Sequence, residues 1–123
     1  MVFFARHWSP DGRQILGTSA ENLGGREGRI TIYDLASDSY SFVTEVGRDW
    51  HIPTWGPQSE SVFILNAEGL QLVDINDRSQ HLVVSNDDFP GISEVNFDAD
   101  KNVLIFLIQQ VESDLWMVQL AAE

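Results

Sequence analysis

The sequence predicts an all-β fold built from repeated four-stranded antiparallel sheets. Three observations predict it. Short apolar runs bounded by Gly, Pro, Asn, Asp and Ser recur along the whole chain. No long stretch carries apolar side chains at helical spacing. An aromatic residue followed at once by a tight-turn signal occurs three times, at Trp8, Trp55 and Phe97.

The first unit begins with a strand over 3–8 (FFARHW) that ends at Trp8. The turn SPDG follows: Pro10 fixes φ, and Asp11-Gly12 reaches positive φ without a steric cost. Apolar strands then fall at 13–18 and 29–35, and a more polar one at 40–46. The link between 18 and 29 holds three glycines and reads as a flexible hairpin tip. The second unit repeats the order at 51–55, 61–66, 70–75 and 80–84, with GPQSES as its turn. The third has strands at 92–97, 102–109 and 114–120, with DADKN as its turn. Trp8, Trp55 and Phe97 are 47 and 42 residues apart, and the strands starting at 30, 70 and 115 are 40 and 45 apart. Four strands in about 40–45 residues is the spacing of a β-propeller blade. The domain reading is one propeller segment over 1–123: blade 1 at about 2–46, blade 2 at about 50–85 and a partial blade 3 at about 92–120. That is roughly 2.75 blades, fewer than the four to eight of a closed ring. The ring is therefore either part of a larger propeller or completed by other copies, with a dimer favoured.

Each repeated aromatic is expected to wedge between adjacent blades, so that Trp8→Ala costs about 3–5 kcal/mol. Strands covered on both faces should be apolar nearly throughout, as VFILN and NVLIFLI are.

Composition narrows the partners. The 123 residues are 43% hydrophobic, enough for a packed core. Seven Lys and Arg against 19 Asp and Glu give a net charge of −12, unevenly spread: −3 over residues 1–62 and −9 over 63–123. Such a surface repels phosphate backbones and anionic lipid, so no nucleic acid and no membrane insertion are expected. Basic partners or divalent cations are compatible with it. There is no cysteine, so disulfides, thiolate metal sites and a Cys nucleophile are excluded. The N-terminal residues lack the basic and apolar regions of a secretory signal.

HWSPDGRQIL followed by ITIYDL resembles the TolB-type propeller repeat, a bacterial relative of the WD repeat. PTWGPQSESVFIL with LQLVDI is a degenerate second copy. VNFDADKNVLIF with LWMVQL is a third, with Phe97 in place of Trp and Gln119 where the others carry Asp34 and Asp74. The resemblance spans the chain and is specific for the blade, not for a function. It implies a periplasmic setting and an envelope partner. Read as a complete chain, the sequence is expected to be cytoplasmic. Similar repeats form the propeller half of prolyl-oligopeptidase-like serine peptidases, so the alternative function is a gating segment of such an enzyme.

No residues combine into a catalytic constellation. There is no G-x-S-x-G elbow. His7 and His51 lie on inner strands and are read as packing between blades or capping loops; the competing reading is a metal or substrate site near the axis. Asp87-Asp88, Asp98-x-Asp100 and Asp74-x-x-Asp77 lack the calcium-loop pattern and are read as turn formers, as are Asp34 and Asp74. No metal and no cofactor are expected. Gly24-Gly25-Arg26-Glu27-Gly28 precedes a strand rather than the helix a phosphate loop requires. The loops joining one blade to the next carry an aromatic beside charges, at Val46–His51 and Asn86–Gly91. Either these aromatics plug the space between blades or they form a binding surface of Arg48, Asp49, Trp50, His51, Asp88 and Phe89. The expected function is a non-catalytic propeller scaffold that binds a protein, a ligand or a second copy through such loops.

Overall fold

The computed structural model of the chain describes residues 1–21, 28–46, 53–108 and 114–120. The described residues are all-β, and their strands assemble into three separate antiparallel sheets. β1 (Val2–Trp8), β2 (Gln14–Ala20), β3 (Gly28–Asp34) and β4 (Ser39–Val46) form the first, adjacent in chain order. β5 (Thr54–Trp55), β6 (Ser61–Asn66), β7 (Gly69–Asp74) and β8 (Gln80–Ser85) form the second. β9 (Ile92–Asp98), β10 (Val103–Ile108) and β11 (Asp114–Gln119) form the third. These strands lie within two residues of the places expected from the sequence, except that β5 spans only Thr54–Trp55.

The repeat is a repeat of register. Trp8 pairs with Ile15, which pairs with Tyr33. Trp55, Val62 and Val73 form the same row in the second sheet, and Phe97, Leu104 and Val118 in the third. Five residues past each aromatic, a carbonyl accepts the amide that follows the third strand. The pairs are Leu35 N–H to Arg13 O (3.1 Å), Ile75 N–H to Glu60 O (3.0 Å) and Leu120 N–H to Asn102 O (2.9 Å). A β-bulge falls at Ile30/Thr31 in the first sheet and at the matching Leu70/Gln71 in the second.

The three turns join the same register positions with different backbone and side-chain chemistry. In the first, Gly12 has φ +75° and donates its N–H to Ser9 O at 2.9 Å. Asp11 Oδ1 accepts from Ser9 Oγ at 2.6 Å and from Arg13 N–H at 3.0 Å. In the second, Pro57–Ser59 form a 3₁₀ turn with Gln58 and Ser59 at positive φ (61° and 56°), and Gly56 N–H reaches Ser61 O at 2.8 Å. In the third, Asp98 Oδ1 accepts from the amides of Asp100 (3.1 Å) and Lys101 (3.2 Å).

The sheets pack face to face, and the core lies between them. Leu16, Ile30, Ile32 and Val43 of the first sheet cluster with Trp55, Val62, Ile64 and Val73 of the second. Phe63, Leu70 and Val84 of the second cluster with Ile92, Leu104, Phe106 and Ile108 of the third. Successive side chains of a strand point to opposite faces. In β6, Val62 and Ile64 therefore enter the first interface while Phe63 enters the second, so both parities must be apolar.

The repeated aromatics mark these interfaces. Trp55 is 5% exposed, and its indole N–H donates to His7 O in the preceding sheet at 3.2 Å. Phe97 stacks on Phe63 of the preceding sheet with ring centroids 5.6 Å apart. Trp8 differs from the wedge expected of it: it holds the same register position but is 60% exposed, because no described residue forms a sheet ahead of β1. A wedge needs two walls, and Trp8 has one.

Trp55→Ala is therefore expected to cost about 3–5 kcal/mol and Trp8→Ala at most about 0.5 kcal/mol, compared by urea unfolding of dilute protein. Gly12→Val should cost about 1–2 kcal/mol in the same assay, all of it from the backbone, since nothing lies within 4 Å of a Cβ built there.

Candidate functional site

Strand direction sorts the connections to two ends of the stacked sheets. One end carries the turns after the aromatics, 9–13, 56–60 and 98–102, together with 35–38 and 75–79. Neighbouring units touch there, with Asp11 N–H donating to Ser59 Oγ at 3.4 Å. The other end carries the hairpin turn 67–68 and the inter-sheet loop 86–91. Segments 22–27, 47–52, 109–113 and 121–123 lie outside the described residues, and with them Arg48, Asp49, Trp50 and His51 of the predicted binding set.

Several carboxylates at the first end accept from turn amides. Asp34 Oδ1 accepts from the Ser37 amide (2.9 Å) and hydroxyl (3.1 Å). Asp74 Oδ1 accepts from the amides of Asn76 (2.7 Å) and Asp77 (3.1 Å), and Asp77 Oδ1 from Ser79 N–H (2.8 Å). At the matching place in the third unit, Gln119 Nε2 donates to Lys101 O (2.7 Å) and Asn102 O (2.9 Å). Gln119 thus reaches the 98–102 turn, whereas Asp34 and Asp74 hold the turns 35–38 and 75–79 after their own strands. Hydrogen bonds favour the charged form of three of these groups. The Ser9 hydroxyl holds Asp11 below the usual carboxylate range, the Ser37 amide does so for Asp34, and Ser79 does so for Asp77. The Tyr33 hydroxyl donates to Asp38, which raises the Tyr33 pKa.

At the second end, loop 86–91 is anchored through its backbone. Asn86 N–H donates to Glu68 O (2.9 Å), and its side-chain amide to Ala67 O (3.0 Å). Phe89 N–H donates to Ser85 O (2.9 Å), and Asp87 N–H to Ser85 Oγ (3.1 Å). The loop divides its side chains. Phe89 turns inward and meets Phe106 edge-on at 5.6 Å, as a plug over the second core cluster. Asp87 and Asp88 point out and are exposed, near the exposed Glu68 of the adjoining hairpin.

His7 and His81 are both exposed, on β1 and β8 in different sheets. Among the described residues no three of His, Asp and Glu are grouped to hold a metal ion.

The outer face of the first sheet went unnoticed in the sequence. Tyr40 lies 4.9 Å from Tyr33 and 5.2 Å from Phe3 between ring centroids, and the Arg29 guanidinium sits 4.5 Å over Phe42. The signal was present in β4, where Tyr40 and Phe42 alternate on one face of a strand read as polar-edged.

Comparison with protein-family models and with curated proteins finds no match to the chain.

The turn carboxylates set a pH dependence. Their folded pKa values lie below the unfolded ones, so their stabilisation is present above about pH 4 and is lost as pH falls through the folded values. Urea midpoints measured from pH 7 to pH 3 should drop at the acid end, and the double variant Asp11→Asn, Asp34→Asn should show a shallower drop.

Proposed function

We propose that the chain is a non-catalytic β-propeller segment of the TolB or WD-repeat kind, which presents its inter-blade loops to a basic protein partner. One contrast carries the reading. Asp11, Asp34, Asp74, Asp77 and Asp98 spend their carboxylates on turn amides. Asp87 and Asp88 sit exposed on a loop tied by the Asn86 and Phe89 amides and by the Phe89 plug. A fixed loop loses little further entropy on binding, and exposed carboxylates in the −9 half of a −12 chain attract cations over a Debye length. The propeller assignment is supported by three stacked antiparallel sheets in one register with an aromatic at the same place in each.

The test is a titration with a synthetic Lys/Arg-rich peptide, followed by backbone amide NMR shifts. Shifts should concentrate at residues 86–91 and 67–69, weaken with added salt and vanish in Asp87→Lys, Asp88→Lys. Shifts spread evenly over the acidic surface, or equal binding by the charge-reversed variant, would refute the loop site.

A further inference from the structure

Each covered interface has two halves. The forward half comes from the second and third strands of one sheet: Leu16 and Ile32 in the first, Phe63 and Leu72 in the second. The backward half is the aromatic row of the next sheet: Trp55, Val62 and Val73, then Phe97, Leu104 and Val118. The chain also carries one further copy of each half, and among the described residues no sheet covers either. The backward half of the first sheet is Trp8, Ile15 and Tyr33, where Trp8 is 60% exposed against 5% for Trp55. The forward half of the third sheet is Ile105 and its partner Met117, which match Leu16 and Ile32 in register. Met117 is 63% exposed, whereas Ile32 is 2% exposed.

We propose that two copies of this chain associate head to tail, the Trp8 row of each packing on the Ile105–Met117 face of the other. The contact continues the interface already made twice within the chain, aromatic row against second and third strands. A head-to-tail contact either closes or extends without limit. Two copies bring six sheets, within the range that closes a ring, and closure covers both open faces of both copies. The proposal rests on sheet stacking and is independent of the acidic loop. Each copy carries −12, so association strengthens as salt screens the repulsion.

The experiment is light scattering at several protein concentrations in about 0.2 M salt, where the Debye length is below about 10 Å. Wild type should give the mass of a dimer. Trp8→Ala and Met117→Lys should each give monomer. Mixed in equal amounts, the two variants should recover a dimer, because Trp8 of the Met117→Lys copy meets the intact Met117 of the other. That recovery separates a lost contact from a lost fold, and a circular dichroism spectrum of each variant checks the same point. A wild-type monomer at about 100-fold the lowest concentration tested, or a dimer that both substitutions leave intact, overturns the proposal.

Discussion

Trp55 belongs to two sheets at once. Its ring is buried with Leu16, Ile30, Ile32 and Val43 of the first sheet, and its N–H reaches back to the carbonyl of His7. Its backbone meanwhile starts the second sheet by pairing with Val62. A single sheet of this size has an apolar face it cannot cover alone, so each sheet is stable only as a neighbour. Burying a large aromatic removes about 150–250 Å² from water, which makes the row through Trp55 the main tie between the first two sheets. Phe97 makes the same tie one sheet later through Phe63. The second sheet is walled on both sides, and the buried side chains of β6 and β7 answer that by being apolar on both faces, with the exception of Gln71, whose amide donates to Asn66 Oδ1 and Glu68 Oε2.

The turns let the register persist while the sequence drifts. What the fold requires is a five-residue offset from the aromatic to the carbonyl that closes the second hairpin. Asp11-Gly12, the Pro57–Ser59 turn and the Asp98 carboxylate each meet that requirement. At the end of the third strand, Asp34 and Asp74 accept from amides, whereas Gln119 donates to carbonyls. Gln119 ties the end of its strand back to the turn after Phe97, while Asp34 and Asp74 cap the turn after their own strand. The third unit, weak as a motif, keeps the register of the other two over its three strands.

At the end with the tight turns, hydrogen bonds hold Asp11, Asp34 and Asp77 ionised. Asp87 and Asp88 of loop 86–91 are exposed. The aromatic side chain beside them does the opposite job, since Phe89 completes the core.

The sequence by itself determined the all-β class, the strands and their order, and the position of each turn. These are local or near-neighbour properties: alternation, turn chemistry and repeat spacing act within a few residues, so they are visible in the letters. It also marked Trp8, Trp55 and Phe97 as equivalent, which in register they are. Only the tertiary structure decided what that equivalence means at each site. Trp55 is buried and Trp8 is exposed, although the residues around Trp8 form the better motif. Burial depends on whether another sheet stands on that face, and the identity of a face's neighbour is a long-range fact that no local pattern carries. For the same reason Tyr33, Tyr40 and Phe3 became a cluster only once β1, β3 and β4 were in one sheet.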